Sequence, residues 1–114
     1  MGARGEGIIK IGEREIPILF TNRALAEAEK ELGKGIVGIL QGFTTGSAGI
    51  SEVVVLLKVG LEAARRDGNP YYGKRVQTSD AYEVLDQVGF GSVTAPVMEA
   101  VAAVISYDGE KDPN

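Results

Sequence analysis

SEVVVLLKVGLEAARR, residues 51–66, is the stretch on which the fold of this 114-residue chain turns. At about 100° per residue, Val53, Leu56, Leu57, Gly60, Leu61 and Ala64 form one stripe, while Lys58, Glu62, Arg65 and Arg66 gather in a narrow wedge opposite. Val54, Val55 and Val59 fill much of the remaining surface, so only the wedge suits water and neighbours must cover this helix on several sides. The β-branched run at Val53, Val54 and Val55 also suits a buried strand, but the length of the stretch and its Ala63-Ala64 end favour a helix. Ser51 is the expected N-cap, Ile50 and Val55 have the spacing of a hydrophobic staple, and Asp67-Gly68 supplies the stop.

Upstream, Ile9 and Ile11, then Gly12-Glu13, then Ile16, Ile18 and Phe20 alternate with period two about a turn, which predicts a β-hairpin over residues 8–20. Pro17 lacks an N–H and belongs at an edge position, and a lone hairpin needs helices against its apolar face. Thr21 then caps a helix over residues 22–32, with Phe20 and Leu25 as a staple and Gly33 as the stop. Ala24, Leu25, Ala28 and Leu32 form its inner face. Glu27 and Glu31 have the spacing of paired carboxylates, but they alternate with basic residues and no histidine accompanies them, so they read as a solvated face. GIVGILQGF, residues 35–43, reads as a short apolar helix with Ile36, Ile39, Leu40 and Phe43 on one side, with a strand as the less favoured reading. The glycine-rich connector at residues 41–49 lacks the Gly-Lys-Ser/Thr ending of a phosphate loop.

Downstream, DGNPYYGKR at residues 67–75 is turn-rich. Aligned on a calcium-binding loop it puts Arg65 at the first ligand position and Val76 at the bidentate glutamate, which excludes that chemistry. Thr78, Ser79 and Asp80 are candidate caps for a helix over residues 81–88, with Glu83 completing a capping box if Asp80 is the cap. After Gly89-Phe90-Gly91, a last helix is expected to start at Ser92 or Thr94, carry Pro96 in its first turn and run to about Tyr107. Val97, Val101 and Val104 suit a core, and Met98, Ala102 and Ile105 share a second apolar azimuth. This helix has no Arg, Lys, Asn or Gln with which to reach base edges, which excludes a DNA-reading pair of helices.

Composition narrows the function classes. The net charge of −4 argues against a protein devoted to nucleic-acid phosphates, and no apolar run approaches the ~20 residues of a membrane span. MGARGEG has no apolar segment after its arginine, so no secretory signal is read there and a cytoplasmic setting is expected. The absence of cysteine and histidine removes thiolate chemistry, the commonest general base and the commonest metal ligand. No catalytic set converges from the remaining residue types. The chain is therefore expected to be no enzyme, with no catalytic, metal-binding or cofactor-binding residues.

Together these segments predict an α+β fold, mainly helical, with an N-terminal β-hairpin followed by four or five packed helices. Residues 1–7 and 108–114 are expected to be flexible ends around a single domain at residues 8–107. The hairpin, AEAEKELG at residues 26–33, the short apolar helix, the long helix at residues 53–66 and TSDAYEVLDQVG at residues 78–89 together resemble the phage tail assembly chaperones. The nearest group is the one that includes the gene-transfer-agent tail proteins. The resemblance rests on patterns of leucine, glutamate and glycine, while the valine- and glycine-rich helices and the segment from Tyr71 to Arg75 depart from it.

The resemblance implies a protein of phage or prophage morphogenesis in the host cytoplasm. It would bind the long hydrophobic tape measure protein, keep it soluble and recruit tail tube protein around it. A structural subunit of the tail tube or head-tail junction is the alternative, although a tube subunit carries more β-structure for sheet closure. Three largely apolar helical stretches exceed what one small core readily covers, unless they simply pack around one another beneath the hairpin. Ile36, Ile39, Phe43, Tyr71, Tyr72, Met98, Ala102 and Ile105 are accordingly the candidate residues for meeting a partner or a second copy of the chain.

Overall fold

The alternating first segment folds as antiparallel strands β1 (Gly5–Ile11) and β2 (Arg14–Phe20), turning at Gly12 and Glu13. Five helices follow: α1 (Asn22–Leu32), α2 (Ile36–Thr45), α3 (Ile50–Arg66), α4 (Thr78–Val88) and α5 (Phe90–Ile105). The computed structural model describes residues 4–68 and 73–107. The architecture is α+β, a hairpin laid on packed helices, as the switch from period two to helical spacing after Phe20 requires.

α3 is the centre of the molecule: β2, α1, α4 and α5 all pack against it, and Val53, Leu56, Leu57 and Leu61 are lost to solvent. Phe20, at the end of β2, lays its ring over Gly60. A Cβ at that glycine would stand 2.7 Å from the ring's Cζ, so the glycine makes room for the aromatic side chain. α5 lies against β1 by the same device. A Cβ on Gly5 would run into the carbonyl oxygen of Ala100, and one on Gly7 would come within 3.4 Å of the carbonyl oxygen of Pro96. These two glycines fall in the segment expected to be a flexible end, and they instead belong to β1. Their missing side chains are what let the helix approach.

α1 has the predicted bounds. The Thr21 hydroxyl accepts from the Ala24 N–H at 3.1 Å, and Gly33 ends the helix in the left-handed region. The other starts differ from expectation. α3 begins at Ile50 with Gly49 as N-cap, because the Glu52 carboxylate turns back to accept the Gly49 N–H at 2.9 Å; Ile50 is exposed and makes no staple. α4 begins at Thr78, where Asp80 does the same for the Gln77 N–H at 2.8 Å. α5 begins at Phe90, so Pro96 lies inside the helix and beyond its first turn. It leaves the Ser92 carbonyl without a ladder partner, at an exposed residue that water can reach. α4 and α5 meet at a 118° bend.

Candidate functional site

α5 carries two apolar rows with different fates. Val93, Val97, Ala100, Val101 and Val104 are buried, since β1, α3 and α4 pack on that side. Met98 is half-buried, Ala102 is exposed and Ile105 retains 39% of its surface. These three recur at i, i+4 and i+7, so they form one row along the helix. Phe90 and Tyr107, also exposed, bracket it in sequence. The only charged residue of α5, Glu99, falls on another azimuth. What this row can do chemically is bury apolar area against another apolar surface, with Met98 able to adapt its shape.

The other expected partner residues are placed differently. Ile36 and Ile39 are 8% and 1% exposed: α2 turns them into the core, which corrects their assignment to a docking surface. Phe43 is half-buried and packs on the same core, while Val37 is the exposed apolar residue of this helix. A short helix must spend its inner face on its own domain, and apolar spacing alone cannot distinguish that face from one reserved for a partner. α2 packs on α1, whereas α5 is held by β1, α3 and α4, so the two stretches do not share neighbours of that strength. Tyr71 and Tyr72 lie outside the described residues.

Sequence reasoning missed Glu62. It falls in the polar wedge of α3, yet it is 5% exposed. Arg65 grips its carboxylate with Nε at 2.9 Å and Nη2 at 2.7 Å, Arg66 Nε lies at 3.3 Å, and the Val76 N–H donates at 2.8 Å. The hydrogen bonds from Arg65, against the opposing effect of burial and with help from Val76, hold its pKa down at about 2. The signal that could have found it is the pair of arginines three and four residues on; the Val76 N–H is invisible to local spacing. Glu62 thus ties the segment leading into α4 to the central helix. Because its folded pKa lies below the ordinary 4.5, its contribution is present above pH 4.5 and lost as pH falls toward 2. Glu62→Gln is expected to lose about 1–3 kcal/mol at neutral pH, with both arginines partly rehydrating, and to flatten the acid limb of the stability curve. Urea melts between pH 2 and 7 check both effects.

Several other carboxylates also hold helices together or cap them. Glu31 accepts from Lys58 at 2.6 Å, joining α1 to α3, and Glu29 accepts the Ile36 N–H at 2.8 Å, fixing the start of α2. Glu52, besides capping α3, meets Lys34 at 3.0 Å; the Gly49 N–H first and Lys34 second lower its pKa. Glu27 lies 3.6 Å from both Arg23 and Arg66. Among the described residues no three acidic side chains converge on a metal-sized site, and no single helix is long and apolar enough to cross a membrane. Comparison with family models, with curated proteins and with solved structures finds no match.

Proposed function

We propose that this protein is a binding module, a phage tail assembly chaperone that works in the host cytoplasm. It holds the hydrophobic tape measure protein in soluble form and helps to recruit tail tube subunits. The supporting observation is the apolar row of Met98, Ala102 and Ile105, which stays at or near the surface of α5 while Val93, Val97, Ala100, Val101 and Val104 of that helix are buried. An apolar helix of a tape measure protein has a matching stripe, and burying the two together removes area from water at about 25 cal/mol per Å². A tube or head-tail junction subunit fits less well, because among the described residues the sheet has only the strands β1 and β2 with which to build a closed wall.

Ile105→Glu is the test. Ile105 is exposed, so the variant should keep the far-ultraviolet circular dichroism and urea midpoint of the original. A carboxylate buried without a partner at the contact is costly, so the variant should keep less tape measure protein in solution on co-expression. A folded variant that solubilises its partner as well as the original removes this row from the mechanism.

A further inference from the structure

We infer that β1 pairs antiparallel with β1 of a second copy of this chain, about a two-fold axis at Ile8, joining two hairpins into one continuous sheet. The inference stands apart from the chaperone reading and starts from the ladder of the hairpin. In that ladder Ile8 faces Pro17. Proline has no N–H to exchange, so this is a non-hydrogen-bonded pair, as by alternation are Glu6 with Leu19 and Lys10 with Glu15. The N–H and C=O groups of Glu6, Ile8 and Lys10 therefore point away from β2. The sheet has two strands, and among the described residues no strand pairs along this edge. The matching edge of β2 is interrupted by Pro17, which leaves β1 as the edge able to accept a strand.

The side chains of this edge select the partner. Ile8 is 49% exposed, and Glu6 and Lys10 flank it two residues away on the same face. Antiparallel pairing of two identical copies about Ile8 sets Ile8 against Ile8, Glu6 against Lys10 and Lys10 against Glu6, with each of these pairs exchanging its N–H···O=C bonds. The charges agree only in this register, since a slip of two residues sets Ile8 against a charged residue. Charged residues on an edge ordinarily repel a second strand, but here the signs are self-complementary. Beside the edge, β1 and the ends of α4 and α5 line an open groove of about 570 Å³, to which α5 contributes Ser92, Ala95, Pro96 and Glu99. Two charged groups already face this row: Arg4 lies 3.3 Å from Glu6, and Glu15 stands across the hairpin from Lys10.

Sedimentation equilibrium of the full chain is the experiment, with Glu6→Lys and Lys10→Glu alone, mixed, and combined in one chain. The original is expected to show a monomer–dimer equilibrium. Each single variant sets like charges opposite each other at two places related by the axis, and should dimerise about tenfold more weakly or worse. An equimolar mixture of the two single variants restores opposite charges throughout and should form a heterodimer at least as tight as the original dimer. The chain carrying both exchanges should dimerise like the original. The mixture separates pairing from any change within a hairpin, because mixing cannot repair a damaged fold. A chain monomeric at all concentrations, a dimer indifferent to the single exchanges, or single variants that fail to pair with each other would each overturn the inference.

Discussion

Replacing Phe20 by alanine is expected to destabilise the protein by about 3–5 kcal/mol, the largest effect of any single side-chain truncation considered for this chain. The ring is completely buried, closes β2 against α3 and fills the space left by Gly60. The converse change is informative as well. Gly60→Ala gains helix propensity but sets a methyl 2.7 Å from a ring that its neighbours hold in place, so a net loss of about 1–3 kcal/mol is expected. Combined with Phe20→Leu, the added methyl has room, and the double variant should be more stable than the two single losses added together. Urea melts of the four proteins check this; a Gly60→Ala protein as stable as the original would mean the ring does not rest there.

Leu57→Ala should cost about 2–5 kcal/mol, because this side chain is wholly enclosed by the elements around α3 and its removal leaves a cavity. Ser51→Ala is its control. Ser51 has the residue type of an N-cap, but Gly49 and the returning Glu52 carboxylate hold that end of the helix, so the loss should stay within about 0.5 kcal/mol. Equal and small losses at the two positions would show that α3 presents different faces from those described.

What the sequence made legible follows from where the signals lie. α1 could be delimited because Thr21 and Gly33 act within a few residues of themselves, through a hydroxyl and a left-handed backbone. The starts of α3 and α4 lie upstream of the expected caps because the carboxylates of Glu52 and Asp80 reach back to Gly49, which has no side chain to signal a cap, and to Gln77, which is not a favoured cap residue. Gly5 and Gly7 look like a loose end in isolation; only the arrival of α5 from far along the chain makes a missing side chain useful. Glu62 was legible only in part: Arg65 and Arg66 lie within a turn of it in the sequence, but Val76 lies beyond the turn-rich segment. On α5, helical spacing separated the buried valines from Met98, Ala102 and Ile105, whereas on α2 it could not tell an inner face from an outer one. The charge complementarity of β1 was present in the residues, but it acquires meaning only with the register that Pro17 and Ile8 share.

The most direct measurement of the proposed function is co-expression of this chain with a phage tape measure protein, reading how much of the latter stays in solution. The expected result is a tape measure protein that is insoluble alone and becomes soluble with this chain, the two co-purifying through the exposed row of α5. A tape measure protein that precipitates equally with and without the folded chain would contradict the proposed function.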